Sequence, residues 1–388
     1  MRLFVNSLAA SAGGGLTYIR NVLPLLASES GLQVTVAAGH SLREEFRNLG
    51  GVDFVELEIP ASRRFFHEQL EIPGIIRGCG ADVLLSTGNF ALRNSPVPQI
   101  LLSRNSIYTS ADFYRDLISR GEYRAWLDTR IRAFLARKSI HWADVTVAPS
   151  ESFAGELQLW SGRPIRAIHH GFNYESFCRD PTPLGEEVEE KLRSAEGSLK
   201  LLFVSHYNYY RNFETLLRAL PILRGLLADR PVKLFLTCKL QAGENPGAYH
   251  PEGAANLVQA LGISDVVVEL GTIPYRQLHQ VYRRADVYVT PAYTETFAHP
   301  LVEAMSSGLP VIASDLAVHR EICGDAALYF PRFSAQELSK RVMEVVSSAE
   351  LGTRRRECGA ARSCAFSWKK HVEELLSLAR SLIAGQLN

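Results

Sequence analysis

The stretch from Asp286 to Ser314 admits few folds. It opens on Asp-Val-Tyr-Val-Thr-Pro-Ala, a short apolar, β-branched run of the kind that forms a strand buried in a parallel sheet. A loop carrying Glu295 follows, Pro300 suits a first helical turn, and Gly308 with Pro310 reads as the stop. Pro-Val-Ile-Ala-Ser is then a second buried strand, so the segment predicts one βαβ crossover with Glu303 in the first turn of its helix. Such a crossover sets a loop and a helix N-terminus at the carboxyl edge of the sheet, where ligands of open α/β sheets bind. Phosphates would lie against free backbone N–H groups there, leaving sugar hydroxyls as partners for Glu295 and Glu303.

The order Glu295, seven intervening residues, Glu303-Ala304-Met305, then Gly308-Leu309-Pro310-Val311-Ile312-Ala313-Ser314-Asp315 and Glu321 resembles the signature of the group 1 family of retaining glycosyltransferases. The resemblance implies the GT-B fold: two doubly wound parallel-sheet, Rossmann-like domains facing a central cleft. It further implies that Glu295 meets the transferred sugar, with Thr296, Phe297 and Ala298 beside it, and that Glu303 meets the ribose.

The rest of the chain is consistent with two such domains. At 388 residues there is material for two cores, and 46% hydrophobic with 21% charged residues is ordinary for a soluble globular protein. A net charge of +1 gives no electrostatic case for a nucleic-acid partner. Six cysteines without C-x-x-C spacing read as reduced, mostly buried thiols of a cytosolic enzyme. The N-terminal MRLFVNSLAASAGGG has an Arg before apolar residues, but Asn6 and Ser7 interrupt the apolar run too early for a signal peptide, and no run is long enough to span a membrane.

In the first half, Arg2 to Leu8 predicts a strand, with Gly13-Gly14-Gly15 as a loop before a helix from about Thr17. Glycine lets backbone approach phosphate, so Gly14 and Gly15 are candidate binding residues, as the family's glycine-rich loop implies. Further strands are expected at 32–38, 53–57, 82–86, 99–103, 144–148 and 165–169, alternating with helices. The strand ending at Arg104-Asn105 places Asn105 where many family members have a His; Asn can hydrogen-bond but cannot exchange a proton. A long helical stretch, 113–142, is rich in Arg with interleaved Phe, Tyr, Trp and Leu, and reads as an amphipathic surface for anionic lipid headgroups or a lipid-linked acceptor, or as a solvated face. His169-His170 lacks metal-ligand spacing and reads as structural. The polar, acidic stretch 179–198 predicts a linker.

Leu199 to Ser205 opens the second half as a buried strand, followed by His206 and Arg211 at places where the family has an Arg and a Lys that hold the diphosphate. Arg211 keeps a permanent charge and binds phosphate bidentately, whereas His206 is charged only if its pKa is raised. Gly271-Thr272-Ile273 resembles the segment that grips the nucleobase through backbone groups, which marks Ile273 as a binding residue. No Asp-x-Asp occurs, so a metal-dependent GT-A enzyme has no ligand pair, and no metal site or cofactor is expected.

The sequence therefore predicts a metal-independent, retaining, hexosyltransferase-type enzyme that uses a UDP- or GDP-sugar. Its catalytic residues would be Glu295, Arg211 and Asn105, and its acceptor a cell-surface glycan or lipid-linked precursor. Expected domains are 1–180 on the acceptor side, 199–368 on the nucleotide-sugar side, and a terminal helix, 369–388, packing back on the first. The expected location is the cytoplasm, peripheral to the inner membrane face through 113–142. Two rivals remain: a GT-B sugar-nucleotide epimerase or phosphorylase, and a non-catalytic nucleotide-sugar-binding subunit.

Overall fold

Mostly apolar runs of two to six residues, most of them separated by helices, give thirteen strands, all joined in parallel, in two sheets among the described residues. The computed structural model describes every residue except 11, 12, 61, 228, 246, 248, 387 and 388. The chain divides into two compact units, one of residues 1–110, 121–171 and 367–388, the other of residues 111–120 and 172–366.

The first unit holds β1 (Arg2–Asn6), β2 (Gln33–Ala38), β3 (Val52–Glu56), β4 (Val83–Ser86), β5 (Gln99–Leu102), β6 (Val145–Ala148) and β7 (Arg166–Ala167). Their order, β3-β2-β1-β4-β5-β6-β7, reverses between β1 and β4, which is the topological switch point of a doubly wound sheet. Helix α1 (Gly13–Ser28) leaves β1, and the glycine triplet expected as a loop is its first turn. The stretch 113–142 is two helices rather than one, α2 (Ala111–Ser119) and α3 (Tyr123–Trp142), because Gly121 takes a left-handed conformation between them at φ 74°. Residues 111–120 pack with the second unit, although the chain on either side of them belongs to the first. Ser150 caps the helix that follows β6 by accepting the Phe153 N–H, the local bond that its sequence position predicts.

The segment 179–198 is not an extended linker. It contains helix α4 (Glu186–Arg193), with acidic residues in its first turn and Lys191 and Arg193 in its last, both favourable to the helix dipole. Leu184, Leu192 and Ala195 are buried in the second unit's core, so the charge that suggested a linker is the solvent face of a packed helix. The second sheet comprises β8 (Leu199–Phe203), β9 (Val232–Leu236), β10 (Val267–Glu269), β11 (Val287–Thr290), β12 (Val311–Ser314) and β13 (Ala327–Phe330). Its order, β10-β9-β8-β11-β12-β13, puts the switch point between β8 and β11. Helices α5 (Phe213–Leu226), α6 (Leu278–Tyr282), α7 (His299–Ser306) and α8 (Ala317–Cys323) bury Leu216, Val281, Leu301 and Ile322 at 0% exposure. Each such side chain contributes about 1.5–3 kcal/mol relative to an exposed one.

The last helix, α9 (Trp368–Ile383), belongs to the first unit, where Trp368, Val372, Leu375 and Leu376 join the core that holds Tyr18 and Ile19 of α1. His371 donates from Nδ1 to the His169 carbonyl at 2.9 Å, and its Nε2 meets the Tyr18 hydroxyl at 3.0 Å. Burial holds this imidazole neutral by pulling its pKa down to about 4. Gly171 runs so close to the start of α9 that a Cβ there would stand 1.9 Å from the Trp368 nitrogen, so only glycine fits. The adjacent His170 ring packs against Tyr18, Trp368 and His371, a structural setting.

Candidate functional site

The loops leaving β8 and β11, the two strands at the second unit's switch point, carry the charged residues that the sequence singled out. Arg211 ends a 3-10 turn, Tyr209–Arg211, and Glu295 follows β11 by five residues. The two form a half-buried ion pair, Arg211 Nη1 donating to Glu295 Oε2, while Glu295 Oε1 accepts the Thr296 N–H at 3.0 Å. Burial would raise the Glu295 pKa, but Arg211, the Thr296 amide and His319 more than offset it and hold the carboxyl below the ordinary value. Burial likewise opposes the charge on Arg211, and Glu295 reverses the effect, so the guanidinium is held on more firmly than usual. Two residues expected to meet different parts of a ligand, Arg211 the diphosphate and Glu295 the sugar, are here partners of each other.

Several nitrogens in this unit are left over. Arg211 Nε, His206 Nδ1 and His319 Nε2 are buried without a hydrogen-bond partner among the described residues. A buried polar atom left unpaired costs about 1–3 kcal/mol, so three of them at one sheet edge suit a ligand rich in oxygen. His206 is kept neutral by burial and by the nearby Arg211, which makes it a hydrogen-bonding group rather than a second phosphate cation. His319, on α8, uses Nδ1 against the Ser314 carbonyl at 2.9 Å, and burial lowers its pKa. The sequence reading passed over it; its signal was a lone His two residues before Glu321 in the matched signature.

Helix α7 begins at His299, so Glu303 sits in its second turn rather than its first. The carboxyl is 3% exposed and accepts the Tyr282 hydroxyl at 2.8 Å, with the Tyr275 phenol as a further hydrogen-bond partner. Burial without a cation pushes its pKa up to about 7. Neither tyrosine was anticipated, since they reach Glu303 from 28 and 21 positions away, a tertiary contact with no local periodicity. Of the other expected residues, Ile273 and Phe297 are core side chains, the Phe297 ring packing on Phe366 at 5.3 Å, and Ala298 holds a left-handed φ of 63° as the residue before α7. A non-glycine residue at positive φ is strained backbone of the sort that clusters at ligand sites.

Gly14, Gly15 and Asn105 lie in the first unit, at its own carboxyl edge. The Asn105 side chain accepts the Ile107 N–H at 3.4 Å and hydrogen-bonds Tyr108. Arg104, which the sequence reading treated only as a neighbour, is the more engaged residue: it donates to the Gly14 carbonyl at 2.8 Å and the Thr87 carbonyl at 2.7 Å. Its guanidinium lies 5.1 Å from the Tyr18 ring centre, and burial pulls its pKa down to about 10.

Comparison with known proteins matches this chain to two family profiles, "Glycosyl transferases group 1" over residues 185–362 and "Glycosyltransferase Family 4" over residues 12–176. A D-inositol 3-phosphate glycosyltransferase of Corynebacterium urealyticum is 24% identical over 284 residues, covering 71% of this chain and 65% of the relative. The O-antigen chain mannosyltransferase B of Escherichia coli is 30% identical over 116 residues, 29% of this chain and 30% of that protein. The first two curated relatives are thus matched over 65% and 59% of their own length. Among solved structures, sucrose-phosphate synthase from Thermosynechococcus elongatus aligns at TM-score 0.76 and 18% identity over 99% of this chain and 100% of that one. The Anabaena protein HepE in complex with UDP-glucose aligns at TM-score 0.72 and 15% identity, over 98% and 100%. These structural likenesses carry the fold.

Proposed function

Given that the chain belongs to group 1 of the glycosyl transferases, with the GT-B fold, we propose that it is a retaining hexosyltransferase. It moves a sugar from a UDP- or GDP-sugar to a hydroxyl on a cell-surface glycan or a lipid-linked precursor, without a metal ion or other cofactor. The observation that carries the reading is the half-buried Arg211–Glu295 pair at the switch-point edge, flanked by nitrogens of Arg211, His206 and His319 that have no partner among the described residues. Arg211 turns from Glu295 to the diphosphate, the more highly charged anion, and the freed carboxylate takes the hydroxyls of the sugar. Glu303 accepts from the ribose through the lone pairs that Tyr275 and Tyr282 leave open. At the carboxyl edge of the first unit, Asn105 offers a hydrogen bond to a sugar or acceptor hydroxyl, and Gly14 and Gly15, in the first turn of α1, leave backbone open to a phosphate.

The leaving diphosphate, steadied by Arg211, accepts the acceptor's proton, so bond breaking and bond formation share one face of the sugar. NMR of the product from an α-linked donor tests this in a chelator-treated sample. An α-linked product at undiminished rate is expected; a β-linked product, or loss of turnover restored by Mg²⁺ or Mn²⁺, overturns it. A non-catalytic nucleotide-sugar-binding subunit is the second reading, favoured by the neutral His206, and absence of any donor turnover would select it.

Helix α3 supports a cytoplasmic protein that rests on the inner membrane face. Its large apolar residues Tyr123, Leu127, Ile131 and Phe134 are 66%, 55%, 53% and 60% exposed, while small residues such as Ala133, Ala136 and Ser139 face the core. At spacings of 4, 4 and 3 they form one stripe, with Arg124, Arg130, Arg137 and Lys138 exposed around it. The amphipathicity is inverted relative to an ordinary surface helix, and an anionic lipid surface complements both the stripe and the cations. Among the described residues no helix is long and apolar enough to cross a membrane. Sedimentation with phosphatidylglycerol vesicles should fall at least fivefold for Leu127→Asp/Phe134→Asp, and unchanged sedimentation overturns the assignment.

A further inference from the structure

Helix α2 stands in the sequence between Asn105 and α3, both in the first unit, yet its side chains are bonded to the loops that carry Arg211 and Glu295. Asp116 Oδ2 accepts the Tyr293 hydroxyl at 2.8 Å, two residues before Glu295. Asp116 Oδ1 accepts Arg120 Nε at 2.7 Å, and Arg120 Nη2 donates to Glu214 Oε1 at 2.9 Å, which also accepts the Tyr207 hydroxyl at 3.2 Å. Arg120 lies 4.3 Å from the Tyr209 ring centre, and Phe113 packs edge-on against Tyr210, the residue before Arg211. The two loops are themselves joined, the Tyr293 N–H donating to the Tyr210 carbonyl at 3.0 Å. Asp112 closes the far side on Arg332 at 2.5 Å, and the Arg332 carbonyl accepts Asn212 at 2.6 Å, one residue after Arg211.

The contacts through Glu214, Tyr210, Asn212 and Tyr293 end within three residues of Arg211 or two of Glu295, where the chain passes from strand to helix. Loops at a sheet edge are otherwise free to move, and a charge pair that must change partners needs its backbone fixed while its side chains turn. The network is largely shielded, with Asp116, Arg120 and Glu214 side chains 19%, 24% and 15% exposed, so its charge-assisted bonds are not lost to solvent. We propose that α2 is a positioning element of the donor site: it clamps the Arg211 and Glu295 loops in mutual register, with Asp116 and Tyr293 as the positioning pair. On this proposal the donor site is incomplete in residues 172–366 alone and is finished by a helix encoded in the first half of the chain. The inference rests on the proposed donor role of Arg211 and Glu295, which the following test separates from it.

Full-length Asp116→Ala, Tyr293→Phe and the double variant are compared with wild type by amide hydrogen exchange and by hydrolysis of UDP-glucose and GDP-mannose. Exchange should quicken at least fivefold in 207–212 and 292–297 while 299–306, the helix of Glu303, keeps its wild-type protection as an internal fold control. Turnover should fall at least tenfold with KM changed less than threefold, and the double variant should be no worse than the worse single, because the two act as one contact. Wild-type exchange in both loops, or rate losses that multiply in the double variant, overturns the proposal. Wild-type protein that turns over neither donor would count against the proposed transfer reaction, and the exchange comparison would still decide the role of α2.

Discussion

Arg104 and Arg211 occupy comparable places, each a half-buried arginine at the carboxyl edge of a parallel sheet, and their terminal nitrogens are partnered in opposite ways. Arg104 donates from Nη1 and Nη2 to the carbonyls of Gly14 and Thr87, has no carboxylate partner among the described residues, and like Arg211 leaves its Nε unpaired there. Burial weakens its hold on the proton, whereas Glu295 strengthens that of Arg211. Backbone carbonyls are fixed by the fold and cannot turn away. A carboxylate side chain can. Arg104 thus stitches the start of α1 to the end of β4 through fixed backbone partners, whereas the pair at the second unit's edge joins two side chains that are each able to rotate.

The contrast breaks most visibly under paired substitution. Arg211→Ala leaves Glu295 largely shielded and uncompensated and should cost about 2–4 kcal/mol in urea denaturation, below the full cost of breaking a buried pair because both side chains keep some exposure, with donor turnover abolished. Adding Glu295→Leu should recover most of that stability and none of the turnover. Arg104→Ala removes guanidinium-to-carbonyl hydrogen bonds instead, so about 1–3 kcal/mol of stability should go with no second-site charge to restore it, and UDP affinity, read by calorimetry, should stay within threefold. Equal rescue of both sites, or a UDP affinity that follows Arg104, would erase the distinction.

Glu303 sharpens it with a smaller effect, being a buried carboxyl with phenols but no cation. Its pKa rises from 4.5 to about 7 in the folded chain, so the folded state binds the proton more tightly than the unfolded one. Its contribution is therefore fully present below pH 4.5 and is lost as pH rises through about 7. Stability should decline across that window, and Glu303→Gln should flatten part of the decline. Glu68, also raised to about 7 by burial, keeps the remainder. A thermal-denaturation series between pH 5 and 8 with equal slopes in the two proteins would remove Glu303 from this account.

What the sequence discloses follows from the range of the interactions concerned. Buried strands announce themselves as β-branched runs, and the loops after β8 and β11 are marked by Arg211 and Glu295, because both signals are local. The partners of those residues are not local. Tyr293 meets Asp116 across 177 positions, and the pattern around Asp116 says only that it is on a helix. The acidic composition of 179–198 similarly described one face of α4 and was silent on Leu192, which faces the core. In α3 the composition was read correctly as cationic and aromatic, but the direction of its faces is set by what small side chains the neighbouring core can admit.

The placement of α9 in the first unit has a consequence for how the protein is made. Residues 1–110 emerge from the ribosome first, but their core is closed by Trp368, Val372, Leu375 and Leu376, which emerge after every residue of the second unit. The domain begun first is finished last. During synthesis the apolar faces of α1 and β1 wait through almost 200 residues of the second unit before their covering helix exists. A nascent chain in that condition exposes surface that favours aggregation, which makes the interval before α9 docks the step at which a chaperone has most to protect.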